Sequence, residues 1–540
     1  MQITEKTPSP FQPFAAKLPR RAFLRQLGFG ATGLGLTAAF PWSPSAQAAS
    51  SDNLPRSRPE AQGVSSAGIL AFLEGIAASK HEFHSFMFVR HGYVVAEGWW
   101  TPYRPRANHM LYSLSKSFAS TAVGFAVCEG KLEVDDPVTS FFPDDLPATI
   151  SPNLAELKVK HLLTMSVGHA QDSTGAITKE QNWVKSFLSL PIANQPGSVF
   201  LYNSGATYML SAIVQKRTGQ RVIDYLRPRL FEPLDIAGMT WETCPLGINT
   251  GGWGLSVPTE ALAKFGELYL QKGIWKGRRI LPAVWIDEAT TFKIQQPTPS
   301  GADPARAKET SDWLQGYCYQ FWRCRHNAFR GDGAYGQYCI VMPEHDAVVA
   351  ITCETGDMQT ELNLVWDHLL PAMHPATLSS NGQTDALLQK RLRSLSLPPP
   401  AGVPAPGTVA RVSGQTFQLE KNSLGAQSIS IEFRHDGAIF HLTDETGDHP
   451  IHCGADKWVD GVTDMPGTPP KLTVGNLRPV KITASGAWKD ADTFEMVWRY
   501  YETPHHHTVS CHFDNDNVQV ELISSNNHAK TSLAGRLRGT

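Results

Sequence analysis

A chain of 540 residues is too long for one hydrophobic core, and at roughly 100 to 200 residues per domain it reads as two or three domains. Its 41% hydrophobic and 18% charged residues fit an ordinary soluble globular protein, and a formal net charge of −2 gives no electrostatic reason to expect nucleic acid or an anionic membrane surface as partner. The eight cysteines are too scattered for a disulfide framework and form no CxxC pair of the zinc-ribbon kind. They read as buried thiols with room for one or two bridges, Cys453 with Cys511 being the first pair to test.

In chain order, the N-terminus carries "PRRAFLRQLGFGATGLGLTAAFPWSPSAQAAS", with Arg20 and Arg21 ahead of Phe23 and Leu24, a weakly apolar run, and Ala46-Gln47-Ala48 as a small-residue cleavage site. This resembles a twin-arginine export signal, although Pro19 replaces the polar residue usual before the arginines. The run at 27–40 is well under the roughly 20 residues that span a bilayer. The expectation is a signal at 1–48, export to the periplasm or beyond, and no stable membrane anchor afterwards.

Residues 65–80 carry a helix pattern, and 83–100 read as two strands folded back at Arg90-His91-Gly92-Tyr93. From about 150 to 290 the patterns are mostly helix and loop, with glycines closing the helices. Strand patterns return in "YCYQFWRC", "GQYCIVMP" and "AVVAIT", followed by a helix with Leu362, Trp366 and Leu369 on one face. Strands at both ends of a helical insertion predict an α+β domain over 49–390, its antiparallel sheet flanked by helices and joined to a helical subdomain. The stretch 391–407 is proline-rich and reads as a stiff spacer. Beyond it, 408–540 shows alternating runs between turn signals, which predicts a separable all-β sandwich or barrel.

Chemistry first shows in "LYSLSKSFAS", where Ser113 and Lys116 stand three apart and share a helix face. A serine hydroxyl is a poor nucleophile until a base takes its proton, and lysine can be that base only if burial or nearby charge lowers its pKa. At a helix start, the backbone N–H of Ser113 would face a developing oxyanion. No second SxxK occurs in the chain.

The surrounding "YSLSKSFASTAVGFAVCEGKLEVDDPV" resembles the nucleophile helix of the serine β-lactamase and penicillin-binding-protein superfamily, in particular its class C-like esterases, D-aminopeptidases and 6-aminohexanoate-oligomer hydrolases. The likeness continues through "VKHLLTMSVG", "PGSVFLYNSGATYMLSAIVQKRTG", "GGWGLSVPTEALAKFGELYLQKG" and "GQYCIVMPEHDAVVAIT", covering about 55–375. It implies a β-lactamase/transpeptidase-like fold. The superfamily's Tyr-x-Asn element falls on Tyr202-Asn203-Ser204, implying that Tyr202 relays protons as a phenol whose pKa falls beside an ammonium, with either Asn203 or Ser204 facing the substrate. Its Lys-Thr-Gly strand falls on Gly331-Asp332-Gly333, where no cation stands; the glycine would let substrate lie along the strand edge, and an N–H near Ala334 would complete an oxyanion hole with Gly333 lining it. Without the lysine that holds a substrate carboxylate, β-lactams are disfavoured.

Other candidates carry less. "GVSSAG" at 63–68 misses the GxSxG elbow at Ala67, His81 and His84 lack zinc-peptidase spacing, and His505-His506-His507 reads as a loop after Pro504, with room for no more than a weak adventitious metal contact. Trp253, Trp313, Trp322 and Tyr335 could wall an apolar cleft, but aromatic residues more often build core. The implied function is an exported serine hydrolase acting on a small ester or amide, with catalytic Ser113, Lys116 and Tyr202, oxyanion or substrate contacts from Ser113, Asn203, Ser204, Gly333 and Ala334, and no metal or organic cofactor. A D-amino-acid peptidase or β-lactamase-like enzyme is the alternative within the class. A binding protein that has lost activity on the same fold is the alternative outside it.

Overall fold

The computed structural model describes residues 53–467 and 479–539. The export signal expected at 1–48 lies outside them. Strands β1 (Glu82–Arg90) and β2 (Tyr93–Trp99) form a hairpin whose turn residues His91 and Gly92 both have positive φ, 51° and 77°, the two-residue turn whose twist matches the flanking strands. β3 (Trp322–Arg323), β4 (Phe329–Gly333), β5 (Gln337–Met342) and β6 (Ala347–Glu354) complete an antiparallel sheet in the order β2-β1-β6-β5-β4-β3. Strands from both ends of the domain meet at its centre, where Phe88 pairs with Val349. β1, β5 and β6 are buried almost end to end, so they read as continuous apolar runs rather than alternating ones. Only two residues of the expected strand "YCYQFWRC" join the sheet, while β4, which carries the glycine motif, joins it fully.

Helix α1 (Ser66–Ala78) and the helical turns at 358–369 share one core with one sheet face. On the other face lie α2 (Ser115–Cys128) and α4 (Thr259–Leu270), with α3 (Ser204–Thr218) behind α2 in the helical subdomain. Gly266 of α4 is a close-approach position: a Cβ there would stand 2.5 Å from the side chain of Val348 in β6.

The C-terminal strands are β7 (Thr416–Leu419), β8 (Ser428–Arg434), β9 (Gly437–Asp444), β10 (Gly447–Gly454), β11 (Val459–Thr463), β12 (Val480–Trp488), β13 (Thr493–Arg499), β14 (His506–Asp514), β15 (Asn517–Ser524) and β16 (Lys530–Leu537). They pair antiparallel in the order β10-β9-β8-β7-β16-β15-β14-β13-β12-β11. Nine of them close into a barrel where Gly454 of β10 meets Ser485 of β12. Eight antiparallel pairings around nine strands leave the two edges pointing the same way, so the closing contact has to be parallel, as it is. Alternate residues such as Phe440, Trp498, Val509 and Val520 fill the interior.

Three expectations change here. His506 and His507 open strand β14 rather than lying in a loop. The cysteines of the described residues are free thiols, Cys453 and Cys511 included. The proline-rich stretch is also more than a spacer: Leu395 is buried in the core of the first domain, and Leu397 donates its N–H to Thr101 O at 2.7 Å. The two domains belong to one compact unit. Among the described residues no helix is long and apolar enough to cross a membrane.

Candidate active site

The segment that leads into α2 bends sharply at Tyr112, which holds the left-handed conformation at φ 49°. Residues Tyr112–Leu114 form a single 3-10 turn and α2 begins at Ser115, so Ser113 sits just ahead of the α-helix rather than inside it. The three-residue spacing still brings the pair together. Lys116 Nζ lies 2.9 Å from Ser113 Oγ, 3.0 Å from Ser204 Oγ and 2.7 Å from the Gly252 carbonyl. Gly252 has to be small, because a Cβ would stand 2.8 Å from the Ser204 carbonyl. Lys116 is 1% exposed. Burial drives its pKa down to about 7, against the opposing charges of Asp172 and Asp332. A neutral amine there has two N–H groups for Ser204 and Gly252 and a lone pair for the Ser113 hydroxyl proton.

Tyr202 lies beside this pair, its ring 4.8 Å from Lys116 Nζ and stacked on Trp322 at 5.5 Å. Its pKa moves up, not down as the resemblance implied: burial and Asp332 outweigh a hydrogen bond with Ser113 and the charge of Arg330. Asn203 and Ser204 part company. Asn203 is 1% exposed and caps α3, accepting from Ala206 N and Ser173 Oγ and reaching His169, while Ser204 reaches Lys116. Asn203 is therefore placed in the core and not in the cleft.

On β4 the two glycines face the segment that carries Ser113. A Cβ on Gly333 would lie 2.0 Å from the Leu111 carbonyl, and one on Gly331 would lie 2.7 Å from Ser117 Oγ. The space beside this strand is thus taken first by the chain itself. Asp332 points to the opposite face and is held by Arg330, with Nε at 3.0 Å from Oδ2. Arg330 is wholly buried against the planes of Trp313 and Trp322, 4.5 and 5.5 Å from the ring centroids. This arginine was missed in the sequence, though two-residue alternation in "FRGDG" places it beside Asp332. Trp253 packs in the core, 6.0 Å from Trp183, while Tyr335 stands in the turn after Ala334, half-buried.

The histidine triplet fans out to separate partners. His505 bonds Tyr112 OH and Glu354 Oε1, and His507 bonds Tyr500 OH at 2.8 Å. Ligand-type atoms of Glu82, Glu354 and His506 come within 4.8 Å of one another. Arg499 already engages Glu82 with two N–H groups at 2.5 and 3.0 Å, so this cluster is an ion-pair network between the domains.

The beta-lactamase family profile matches residues 77–370, more than half of the chain. The 6-aminohexanoate-dimer hydrolase of Paenarthrobacter ureafaciens is 26% identical over 289 residues, which is 49% of this chain and 71% of that protein. Among solved structures, the octameric penicillin-binding protein homologue from Pyrococcus abyssi aligns over 87% of this chain and 99% of its own, with a TM-score of 0.45 and 15% identity. EstCE1, a hydrolase with promiscuous acyltransferase activity, aligns over 56% of this chain and 97% of its own, with a TM-score of 0.46 and 16% identity. Matched by its profile over the sheet and helical subdomain that carry Ser113, Lys116 and Tyr202, the chain belongs to the beta-lactamase family.

Proposed function

We propose that this protein is an exported serine hydrolase that cleaves a small ester or amide through an acyl-enzyme. The observation that carries the reading is the buried Lys116, whose amine touches the Ser113 hydroxyl at 2.9 Å and whose pKa lies near working pH. Lys116 takes the proton as Ser113 Oγ attacks the carbonyl carbon. Tyr202, a protonated phenol, hydrogen bonds the serine and passes a proton towards the leaving group while Lys116 replaces it. The N–H groups of Ser113 and Ala334 receive the oxyanion, and water then attacks the acyl carbon to release Ser113. Asn203 acts from behind, fixing the start of α3 so that Ser204 meets the lysine.

Neutral substrates fit best. The one buried cation of β4, Arg330, is committed to Asp332 and to aromatic planes, so a substrate carboxylate finds no partner on this strand. Export through the signal at 1–48 is part of the proposal. The test is labelling of the purified protein by a fluorophosphonate, with Ser113 identified as the labelled residue, followed by a screen of p-nitrophenyl esters, linear amide dimers, D-amino-acid amides and nitrocefin. Failure of Ser113 to label, with no turnover of any substrate, would sink the reading and favour the binding-protein alternative.

A further inference from the structure

The nucleophile and the end of β4 are each followed or preceded by a tyrosine that no step of the mechanism uses. Tyr112 precedes Ser113 at φ 49°, and Tyr335 follows Ala334 at φ 66°. Bulky side chains avoid this left-handed region unless the surroundings hold them there. Both are held from the C-terminal barrel. Tyr112 OH bonds His505 Nε2, and Tyr335 OH bonds the side-chain oxygen of Asn526. The two phenol rings also meet edge to face at 5.2 Å, and His505 packs against Tyr335 at 4.7 Å.

His505 is itself fixed. Its Nδ1 lies 2.6 Å from Glu354 Oε1, which also accepts from Ser525 Oγ at 2.7 Å. A carboxylate can only accept, so Nδ1 carries the proton and the ring turns Nε2 towards the Tyr112 hydroxyl. The consequence reaches the peptide plane between Tyr112 and Ser113. Ser115 Oγ donates to the Tyr112 carbonyl at 2.6 Å, so the Ser113 N–H at the other end of that plane is aimed away from it. On the other side, Gln337 Nε2 holds the Ala334 carbonyl at 3.1 Å, which fixes the peptide plane joining Ala334 to the clamped Tyr335.

We propose that the C-terminal barrel is part of the catalytic apparatus: His505 and Asn526 are positioning residues that clamp Tyr112 and Tyr335 and thereby align the Ser113 and Ala334 N–H groups on the oxyanion. This rests on the reading of Ser113 as nucleophile. It assigns the barrel a duty in the transition state, where donor alignment matters, rather than in holding ground-state substrate.

The full chain carrying His505→Ala, Asn526→Ala, Tyr112→Phe or the pair His505→Ala with Tyr112→Phe is compared on the best ester substrate, with Tm, kcat and KM measured for each. Arg104→Ala is the control, because it breaks the exposed interdomain pair with Asp460 at 2.6 Å without touching either tyrosine. Removing a whole oxyanion donor lowers kcat by about 10² to 10³, so misaligning one should lower it roughly ten- to a hundredfold. His505→Ala and Tyr112→Phe should show that loss with KM within about twofold, and the pair should fall little further than either single variant. Arg104→Ala should keep its kcat. Folded His505→Ala and Tyr112→Phe with kcat unchanged, a loss confined to KM, or an equal loss in Arg104→Ala would each overturn the proposal. Should His505→Ala fail to fold, Tyr112→Phe, which removes a single oxygen, decides alone. A wild-type protein that does not label at Ser113 would instead defeat the reading of the site itself.

Discussion

Arg499 of the barrel grips Glu82 of the catalytic sheet with two N–H groups, at 2.5 and 3.0 Å, across 417 residues of sequence. Close by, the barrel backbone at Glu502 O accepts from Met110 N at 2.9 Å, three residues before Ser113. A chain ending near Ser394 would expose Glu82, Tyr112 and Glu354 at once. Although the sequence reads as two separable domains, such a truncation is expected to be insoluble or inactive. A soluble fragment with esterase activity equal to that of the full chain would show that the interface is dispensable.

The same pair should respond to acid. Burial raises the pKa of Glu82, but Arg499 and His84 outweigh it and hold it well below the ordinary 4.5; Glu354 is lowered to about 2, with His505 and His506 outweighing its burial. Both folded values lie below the unfolded one, so their stabilising contribution is complete above about 4.5 and is lost as pH falls towards 2. Arg499→Ala, which leaves Glu82 without its cation, should cost about 3 to 5 kcal/mol at neutral pH and flatten the acid limb. Tm measured from pH 3 to pH 7 checks both, and an unchanged acid limb in Arg499→Ala would count against this pair as its source.

Ser113→Ala should abolish covalent labelling and lower kcat by several powers of ten without unfolding the protein, since the hydroxyl contributes little to packing. Retained turnover in that variant would move the nucleophile elsewhere.

As the proposed base, Lys116 should set the ascending pH limb. Its folded pKa of about 7 lies below the ordinary 10.5, so the base form fills as pH rises through 7, and kcat/KM for a neutral ester should climb there. The unfolded chain keeps its proton between those values while the folded chain does not, so the cost of burying this group, full below pH 7, falls away progressively from pH 7 to 10.5. Lys116→Arg should fold and be nearly inactive, because a guanidinium keeps its proton. A rate profile for wild type that is flat from pH 5 to 9 would contradict the base role.

Gly333→Ala tests why β4 is glycine-rich. Its Cβ would meet the Leu111 carbonyl at 2.0 Å, a backbone atom two residues ahead of Ser113 that cannot swing aside. Activity should fall sharply, more than in Gly331→Ala, where the first atom met is the Ser117 hydroxyl at 2.7 Å. Equal activity in the two variants would show that the strand and the nucleophile segment yield easily.

The sequence by itself settled whatever depends on residues near one another along the chain. The spacing of Ser113 and Lys116, the hairpin at His91-Gly92, and the alternating strands after 408 all follow from local periodicity and turn chemistry, which act over a few residues. It could not decide between Asn203 and Ser204. Adjacent positions on the entry to a helix point in different directions, and which one meets Lys116 depends on where α2 lies against α3. Nor could it set the direction of the Tyr202 pKa, which turns on burial and on Asp332, a residue 130 positions away. The contact of His505 with Tyr112 spans 393 residues, and a histidine triplet after a proline carries no mark of such a partner. Only the closed barrel, docked beside the segment that carries Ser113, brings His505 and Tyr112 within hydrogen-bonding reach. Hydrogen bonds and desolvation act over a few ångströms of space, and that proximity is a property of the fold.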